Sequence, residues 1–334
     1  MGKRAFFNTV PKKLGAEYWR MFLSERGRTI YDAVLSDLIR GDLSGYTELN
    51  GIRYPITAFD DAFDAYHALK DDHPEYFFLG QECNFISDGK SAAITYTVLY
   101  TAKQTERISN LLKKEINRIT NKTAGLNDLE REAVVYGRIA KSKKYADHND
   151  DTDHNAVGPL LSDSGVCEGI NALLMLCLRR LNIPCIKVSG KSKKGGLHCW
   201  CIAWIDSIPV HIDVTEDLSD KLVCYDYFNL SERMIANNRT IFRKSKLPIC
   251  SSEHLTYYNY RDLNVKDFSE LVALLRKGFA ENTSVLVHFD YVPKKSSCIS
   301  EEIKRALNSA KIYGSHLIRA NTELGNAAVL KSDA

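Results

Sequence analysis

One helix-forming segment constrains the fold more than any other part of the sequence. Residues 165–185 read GVCEGINALLMLCLRRLNIPC, and their apolar side chains cover most of a helix circumference rather than a single stripe. A helix of this kind must be buried on nearly all sides by other elements. Asn182 suits the left-handed position that ends a helix, and Pro184 prevents a restart. The segment therefore predicts a deeply buried central helix.

Cys167 stands at the start of this predicted helix, just after Gly165. The free N–H groups and the macrodipole at a helix N-terminus favour an anion. They lower the pKa of a thiol, and the thiolate is its nucleophilic form. A free cysteine is, however, most often a small buried hydrophobe. The position of Cys167 indicates chemistry only if a base and an orienting group lie nearby.

A base for this thiol is offered by residues 198–215, which read HCWCIAWIDSIPVHIDVT. If Asp206 and Ser207 form a two-residue hairpin turn, His198 and Asp213 lie on the same face of two paired strands. They are then diagonal neighbours with Cα atoms about 7–8 Å apart. A one-residue change of register would send them to opposite faces. Beside a cysteine, such a pair matches the pattern of nucleophile, base and orienting acid.

Three motifs in order, GVCEGINALLMLCLRRLNIPC, GLHCWCIAWI and VHIDVT, resemble the transglutaminase-like core. Transglutaminases, many bacterial cysteine peptidases and peptide N-glycanases share this core. The resemblance covers roughly residues 150–240. It implies an α+β fold: a papain-like, transglutaminase-like core with a buried central helix packed on an antiparallel β-sheet, preceded by a mostly helical N-terminal region.

The resemblance also implies roles for single residues. Cys167 matches the family's nucleophile, His198 its base and Asp213 its orienting acid. The family's His-Ala-Trp appears here as His198, Cys199 and Trp200, with cysteine in place of alanine. The backbone N–H of Cys167 is a candidate oxyanion donor at the helix tip, and Trp200 is a candidate for lining the cleft. No cofactor and no metal are implied.

The chain divides into three predicted regions. Residues 1–145 form a helical region with a β-hairpin, whose turn falls near Asp88 and Gly89. Residues 146–262 form the transglutaminase-like catalytic core, and residues 263–334 form a C-terminal α/β extension.

Two metal sites compete with this interpretation. A zinc site from His198, Cys199, Cys201 and His211 lacks the usual paired cysteines, and alternation along a strand separates His198 from Cys199. The acidic segment at residues 147–155, DHNDDTDHN, lacks the glycine and glutamate that an EF-hand loop requires. We therefore expect no zinc site, and a solvated loop rather than a calcium site.

Composition limits the class of partner. The net charge of +3 over 334 residues gives no basic excess of the kind that nucleic-acid-binding domains show. No run of 18 apolar residues predicts a membrane span. The odd number of cysteines, nine, and a start without an apolar leader favour reduced thiols in the cytoplasm. We expect a protein or peptide substrate, and the sequence leaves the oligomeric state open.

Three functions fit these motifs. The first is a cysteine peptidase or related amidase that acts through a thioester. The second is a true transglutaminase, which joins glutamine acyl groups to amines with the same residues. The third is an interaction module that keeps the fold and carries an inert Cys167. The absence of an obvious calcium loop and of additional β-sandwich sequence favours hydrolysis.

Overall fold

The computed structural model describes residues 17–49, 58–193, 195–281, 284–293, 298–321 and 324–331. Within them it has the predicted α+β fold, in which a central helix lies against an antiparallel sheet. The helices are α1 (Glu25–Arg40), α2 (Phe59–Asp72), α3 (Ala102–Thr120), α4 (Asp128–Ser142), α5 (Val157–Leu161), α6 (Cys167–Arg180), α7 (Glu232–Ile235), α8 (Tyr257–Tyr260), α9 (Phe268–Glu281) and α10 (Ile299–Ala310).

The strands are β1 (Tyr46–Glu48), β2 (Leu79–Ser87), β3 (Ala92–Val98), β4 (Lys144–Tyr145), β5 (Ser164–Gly165), β6 (Cys185–Ser192), β7 (Leu197–Ile205), β8 (Ile208–Ile212), β9 (Arg239–Ile241), β10 (Asn264–Val265), β11 (Ser284–Phe289), β12 (Ser315–Asn321) and β13 (Asn326–Lys331). The predicted hairpin is formed by β2 and β3, which pair in antiparallel fashion up to Ser87 and Ala92. Asp88 holds the intervening turn by accepting three hydrogen bonds, two from backbone N–H groups and one from a serine hydroxyl.

The central helix α6 is buried as its sequence predicts. Every residue from Gly169 to Arg179 is buried, and the chain leaves the helix through Asn182, which adopts a left-handed conformation at φ 65°. One hydrophobic core surrounds the helix and joins it to β6, β7, α2, α3 and α4. A rigid, enclosed helix of this kind fixes the position of whatever stands at its exposed tip.

The sheet beside α6 has the strand order β8-β7-β6-β9, and every neighbouring pair is antiparallel. Asp206 and Ser207 form the turn between β7 and β8, with φ values of 49° and 70°. Two left-handed residues are typical of a type I′ turn, which fits the twist of paired strands. Ile205 therefore pairs with Ile208, the register that the sequence predicts.

The C-terminal residues build a second sheet with the order β10-β11-β13-β12. Helices α9 and α10 cover it, and their contact forms a hydrophobic cluster of its own from Val265 to Val329. None of the helices in the described part of the chain combines the length and apolar character needed to cross a bilayer.

Candidate active site

The tip of α6 presents backbone N–H groups that have no partner within the helix. Its N-cap is Val166, whose side chain accepts no hydrogen bond from the helix. Cys167 is the first helical residue and is only partly exposed. Since the N–H of a first helical residue has no partner within the helix, it is available to an oxygen lying outside.

His198 and Asp213 lie together, as the hairpin register requires. His198 Nε2 is 2.8 Å from Asp213 Oδ2, and the carboxylate is fully buried. The Cys167 thiol hydrogen-bonds to the imidazole. Because Nε2 already bonds to Asp213, this bond uses the other ring nitrogen of His198. The structure therefore brings thiol, imidazole and carboxylate into one connected row.

Electrostatics within the row favour a charged pair. The Cys199 thiol bonds to the sulfur of Cys167, and together with His198 it outweighs burial and lowers the pKa of Cys167 to about 5. Burial alone would lower the pKa of His198, but its bonds to Asp213 and Cys167 prevail and raise that pKa to about 10. Between these values the favoured state is a Cys167 thiolate beside a His198 imidazolium.

Arg239 completes the environment of Asp213. This buried guanidinium lies 3.1 Å from Asp213 Oδ2 and also bonds to Glu216, while Thr215 donates to the other carboxylate oxygen at 2.5 Å. His198, Asp213 and Glu216 could present ligand atoms within 4.8 Å of one another. Because Arg239 already bonds to both carboxylates, its positive charge opposes a cation there.

Alternation along the strand predicts that Cys199 and His198 lie on opposite faces of β7. The alternation is correct, since Cys201 on the same face bonds to Asn171 of α6. Cys199 is nevertheless part of the site, because α6 begins over this face and brings Cys167 close to the Cys199 thiol. Asn171 Nδ2 holds the two backbones together, lying 2.9 Å from the Cys167 carbonyl oxygen and 3.1 Å from that of Cys199.

Trp200 does not line the cleft, contrary to the expectation from sequence. Its side chain is fully buried, and its indole N–H donates to His211 Nδ1 at 3.0 Å. Its ring lies beside that of His198, with centroids 6.1 Å apart, so it buttresses the imidazole from within the core. His211 bonds to the Trp200 indole, and Cys201 bonds to Asn171 of α6. The four residues of the hypothetical zinc site therefore do not converge.

Tyr145 is a site residue that sequence reasoning missed. It lies on β4, which pairs with β5 so that Tyr145 is opposite Gly165, two residues before the thiol. Its hydroxyl accepts from the backbone N–H of Cys167 and also bonds to the Cys167 sulfur; burial and this sulfur raise the pKa of Tyr145 to about 12. A lone tyrosine 22 residues upstream gives no pattern from which this contact could be read.

Glu168 ties the first turn of α6 to the rest of the protein. It accepts from Lys187 Nζ at 2.7 Å and lies 3.1 Å from His154 Nδ1. Lys187 also bonds to Asp71 of α2 at 2.5 Å. Burial alone would raise the pKa of Glu168, but Lys187 and His154 outweigh it and hold that pKa well below its usual range. This network fixes the residue adjacent to the thiol.

The acidic segment 147–155 forms a turn and a 3₁₀ helix (Asp151–His154) against the tip of α6. Three of its four carboxylates bond within the segment: Asp153 to the backbone N–H of His148, Asp147 to that of Asn149, and Asp150 to that of Thr152. Carboxylates engaged in this way hold the loop conformation; that the segment is a solvated loop rather than a calcium site stays a prediction.

The backbone of the acidic segment packs closely on α6 at Gly169, which leads to a stability prediction for Gly169→Ala. Alanine normally favours a helix over glycine by about 1 kcal/mol. Here a Cβ would lie 2.3 Å from the Asp153 carbonyl oxygen and 2.6 Å from that of Asn155, so backbone would have to move. We expect a net loss of about 1–3 kcal/mol of unfolding free energy, measured by urea denaturation.

Gly27→Ala in α1 is the matched control, because its nearest neighbours are side-chain atoms at 3.3 Å. It should change stability much less. A Gly169→Ala protein as stable as the parent would contradict the close packing of the loop on α6.

Comparison with known proteins adds a family match over the same part of the chain. Residues 113–213 match the family model described as the transglutaminase-like superfamily. The matched region contains Cys167 and His198, and it ends at Asp213. A search of curated proteins gives no significant match.

Several solved structures are similar at low identity. A TGase crystal structure has 13% identity and a TM-score of 0.32, over 53% of this chain and 52% of the other. A proposed cysteine protease from Cytophaga hutchinsonii has 15% identity and a TM-score of 0.28, over 44% and 64%. A proposed protease from Parabacteroides distasonis has 13% identity and a TM-score of 0.25, over 40% and 30%. The chain thus spans about half the length of the TGase that it matches.

Proposed function

We propose that this chain, whose residues 113–213 belong to the transglutaminase-like superfamily, is a cysteine-dependent amide-bond hydrolase acting on proteins or peptides in the cytoplasm. Cys167 is the nucleophile, His198 the acid and base, and Asp213 the orienting group. One observation carries the proposal. The Cys167 thiol bonds to His198, whose Nε2 lies 2.8 Å from the buried Asp213 carboxylate.

In the first half-reaction the Cys167 thiolate attacks the carbonyl carbon of the substrate amide. His198, already protonated, gives its proton to the departing nitrogen as the carbon–nitrogen bond breaks, and a thioester is left on Cys167. Asp213 holds the imidazole and stabilises its charged form through the 2.8 Å contact. The starting ion pair supplies both the nucleophile and the proton.

In the second half-reaction His198 acts as a base. It removes a proton from water, which attacks the thioester carbon and releases the carboxylic acid together with the thiolate. An amine entering in place of water would give a new amide, which is the transglutaminase reaction. The two outcomes differ in which nucleophile reaches the thioester.

The substrate oxygen is proposed to bind at the Cys167 backbone N–H. That donor is now occupied by the Tyr145 hydroxyl, whose side chain is 56% exposed at the mouth of the site. Productive binding therefore displaces the hydroxyl, so that the negative charge developing on the substrate oxygen meets the helix N-terminus.

Incubation with a glutamine-rich protein and a fluorescent primary amine tests the proposal. We expect new amino termini or released ammonia in excess of incorporated amine, and none of these with Cys167→Ala. Amine incorporation exceeding hydrolysis would instead assign the transglutaminase reaction. If a broad panel of peptide and glutamine substrates gives no product, and Cys167 also resists alkylation, the protein is an interaction module with an inert thiol.

A further inference from the structure

Two thiols meet at the tip of α6, and the proposed reaction uses only one of them. The Cys199 thiol is a neighbour of the Cys167 thiol, near enough to lower the pKa of Cys167. The Asn171 amide spans the two carbonyl oxygens at 2.9 and 3.1 Å, which fixes the backbones that carry the thiols. Two neighbouring thiols on backbones held this close together meet the first geometric requirement for a disulfide.

We infer that Cys167 and Cys199 form a modification site at which a hydroperoxide converts the two thiols into a reversible disulfide. Cys167 is the thiol that reacts first, and Cys199 is the thiol that resolves the product. The inference shares its reactive thiol with the proposed function, although disulfide formation requires no peptide substrate.

The chemistry balances in two steps. The Cys167 thiolate attacks one peroxide oxygen and the O–O bond breaks; the sulfur is oxidised to a sulfenic acid, while the departing hydroxide takes a proton to become water. The Cys199 sulfur then attacks the Cys167 sulfur. The S–S bond forms, the S–O bond breaks, and a second water leaves with the Cys199 proton. One peroxide and two thiols give one disulfide and two waters.

The two thiols differ in exposure and in pKa, as the two reaction steps require. Cys167 is partly exposed and its thiolate is favoured, whereas Cys199 is only 6% exposed. The bond to Cys167, together with burial, raises the pKa of Cys199 well above its ordinary value. Peroxide therefore reaches the thiolate first, and the buried partner meets the oxidised sulfur before a second peroxide does.

Other neighbouring cysteines lack this combination. Cys177, Cys185 and Cys201 are each 0% exposed, and burial raises the pKa of all three thiols. An oxidant from solvent has no path to a thiolate at these positions. Cys201 is the closest comparison to Cys199, because it lies on β7 with its side chain on the same face, two residues further along.

The test exposes the reduced full-length protein to hydrogen peroxide and maps the products by peptide mass spectrometry. We expect a Cys167–Cys199 linked peptide with a loss of two hydrogens, in the parent and in the Cys201→Ala control. In Cys199→Ala we expect a dimedone-trapped sulfenic acid at Cys167, followed by sulfinic and sulfonic acids. The activity of each variant is compared with its own value before oxidation. Dithiothreitol should restore the activity of the oxidised parent but not that of oxidised Cys199→Ala.

The inference is overturned if Cys167 oxidises in the parent without a linked peptide, or if its over-oxidation is equally rapid with and without Cys199. Either result leaves the proposed hydrolase intact, since mapping is independent of turnover. Conversely, a linked peptide from a protein that hydrolyses no substrate supports the thiol pair and counts against the proposed function alone.

Discussion

Cys167→Ala is expected to lower kcat/KM by about 10⁶-fold while the protein stays folded. Without the sulfur no thioester can form, so His198 and Asp213 have no nucleophile to serve. The thiol is small and partly exposed at the tip of α6, and we expect its removal to change the free energy of unfolding by about 1–2 kcal/mol. Paired assays of turnover and urea denaturation measure both quantities.

Cys83→Ala is the control for this substitution. Cys83 is another partly buried free thiol, but it lies on β2, and burial raises its pKa to about 11. Its removal should leave kcat/KM within about twofold of the parent. A Cys167→Ala protein that retained full activity would exclude the thioester mechanism.

His198→Ala is expected to lower kcat/KM by about 10⁴-fold. The imidazole both stabilises the thiolate and carries the proton in each half-reaction, so one substitution removes two contributions. The parent should be active between about pH 5, below which Cys167 is protonated, and about pH 10, above which His198 loses its proton. Loss of the imidazole should move the acidic limit upward, since the thiolate loses a hydrogen-bond donor and the positive charge beside it.

Chemical rescue by added imidazole distinguishes a catalytic role of His198 from a structural one. Added imidazole should restore part of the activity of His198→Ala, because the cavity left beside Cys167 can admit the free base. The exposed His254 is the control, and His254→Ala should behave as the parent does. A His198→Ala protein with the parent's pH profile would show that the imidazole takes no part in the reaction.

The central helix and the hairpin register were both predictable, because each depends on local rules. The apolar circumference of α6 requires burial, and Asp206-Ser207 sets the pairing that places His198 and Asp213 on one face. Local rules fail for Trp200. Its position on the strand was correct, but whether that face looks into a cleft or into the core depends on the elements packed over it, and His211 captures its N–H.

The contacts that sequence could not predict join distant segments. Arg239 reaches Asp213 from β9, and Tyr145 reaches Cys167 because β4 pairs with β5. Neither pairing leaves a periodic trace in the chain. Cys199 is an intermediate case, since the alternation rule gave its face correctly, but only the packing of α6 shows that Cys167 lies over it. The division of the chain into three domains and the catalytic roles remain predictions.

The rate at which iodoacetamide alkylates Cys167, followed against pH in the parent protein, tests the central claim most directly. Peptide mapping assigns the label to Cys167, and no substrate is needed. We predict rapid alkylation with an inflection near pH 5, the value expected for a thiolate beside an imidazolium. Slow alkylation that rises only near an ordinary thiol pKa of about 8.5 would contradict the claim that Cys167 is an activated nucleophile.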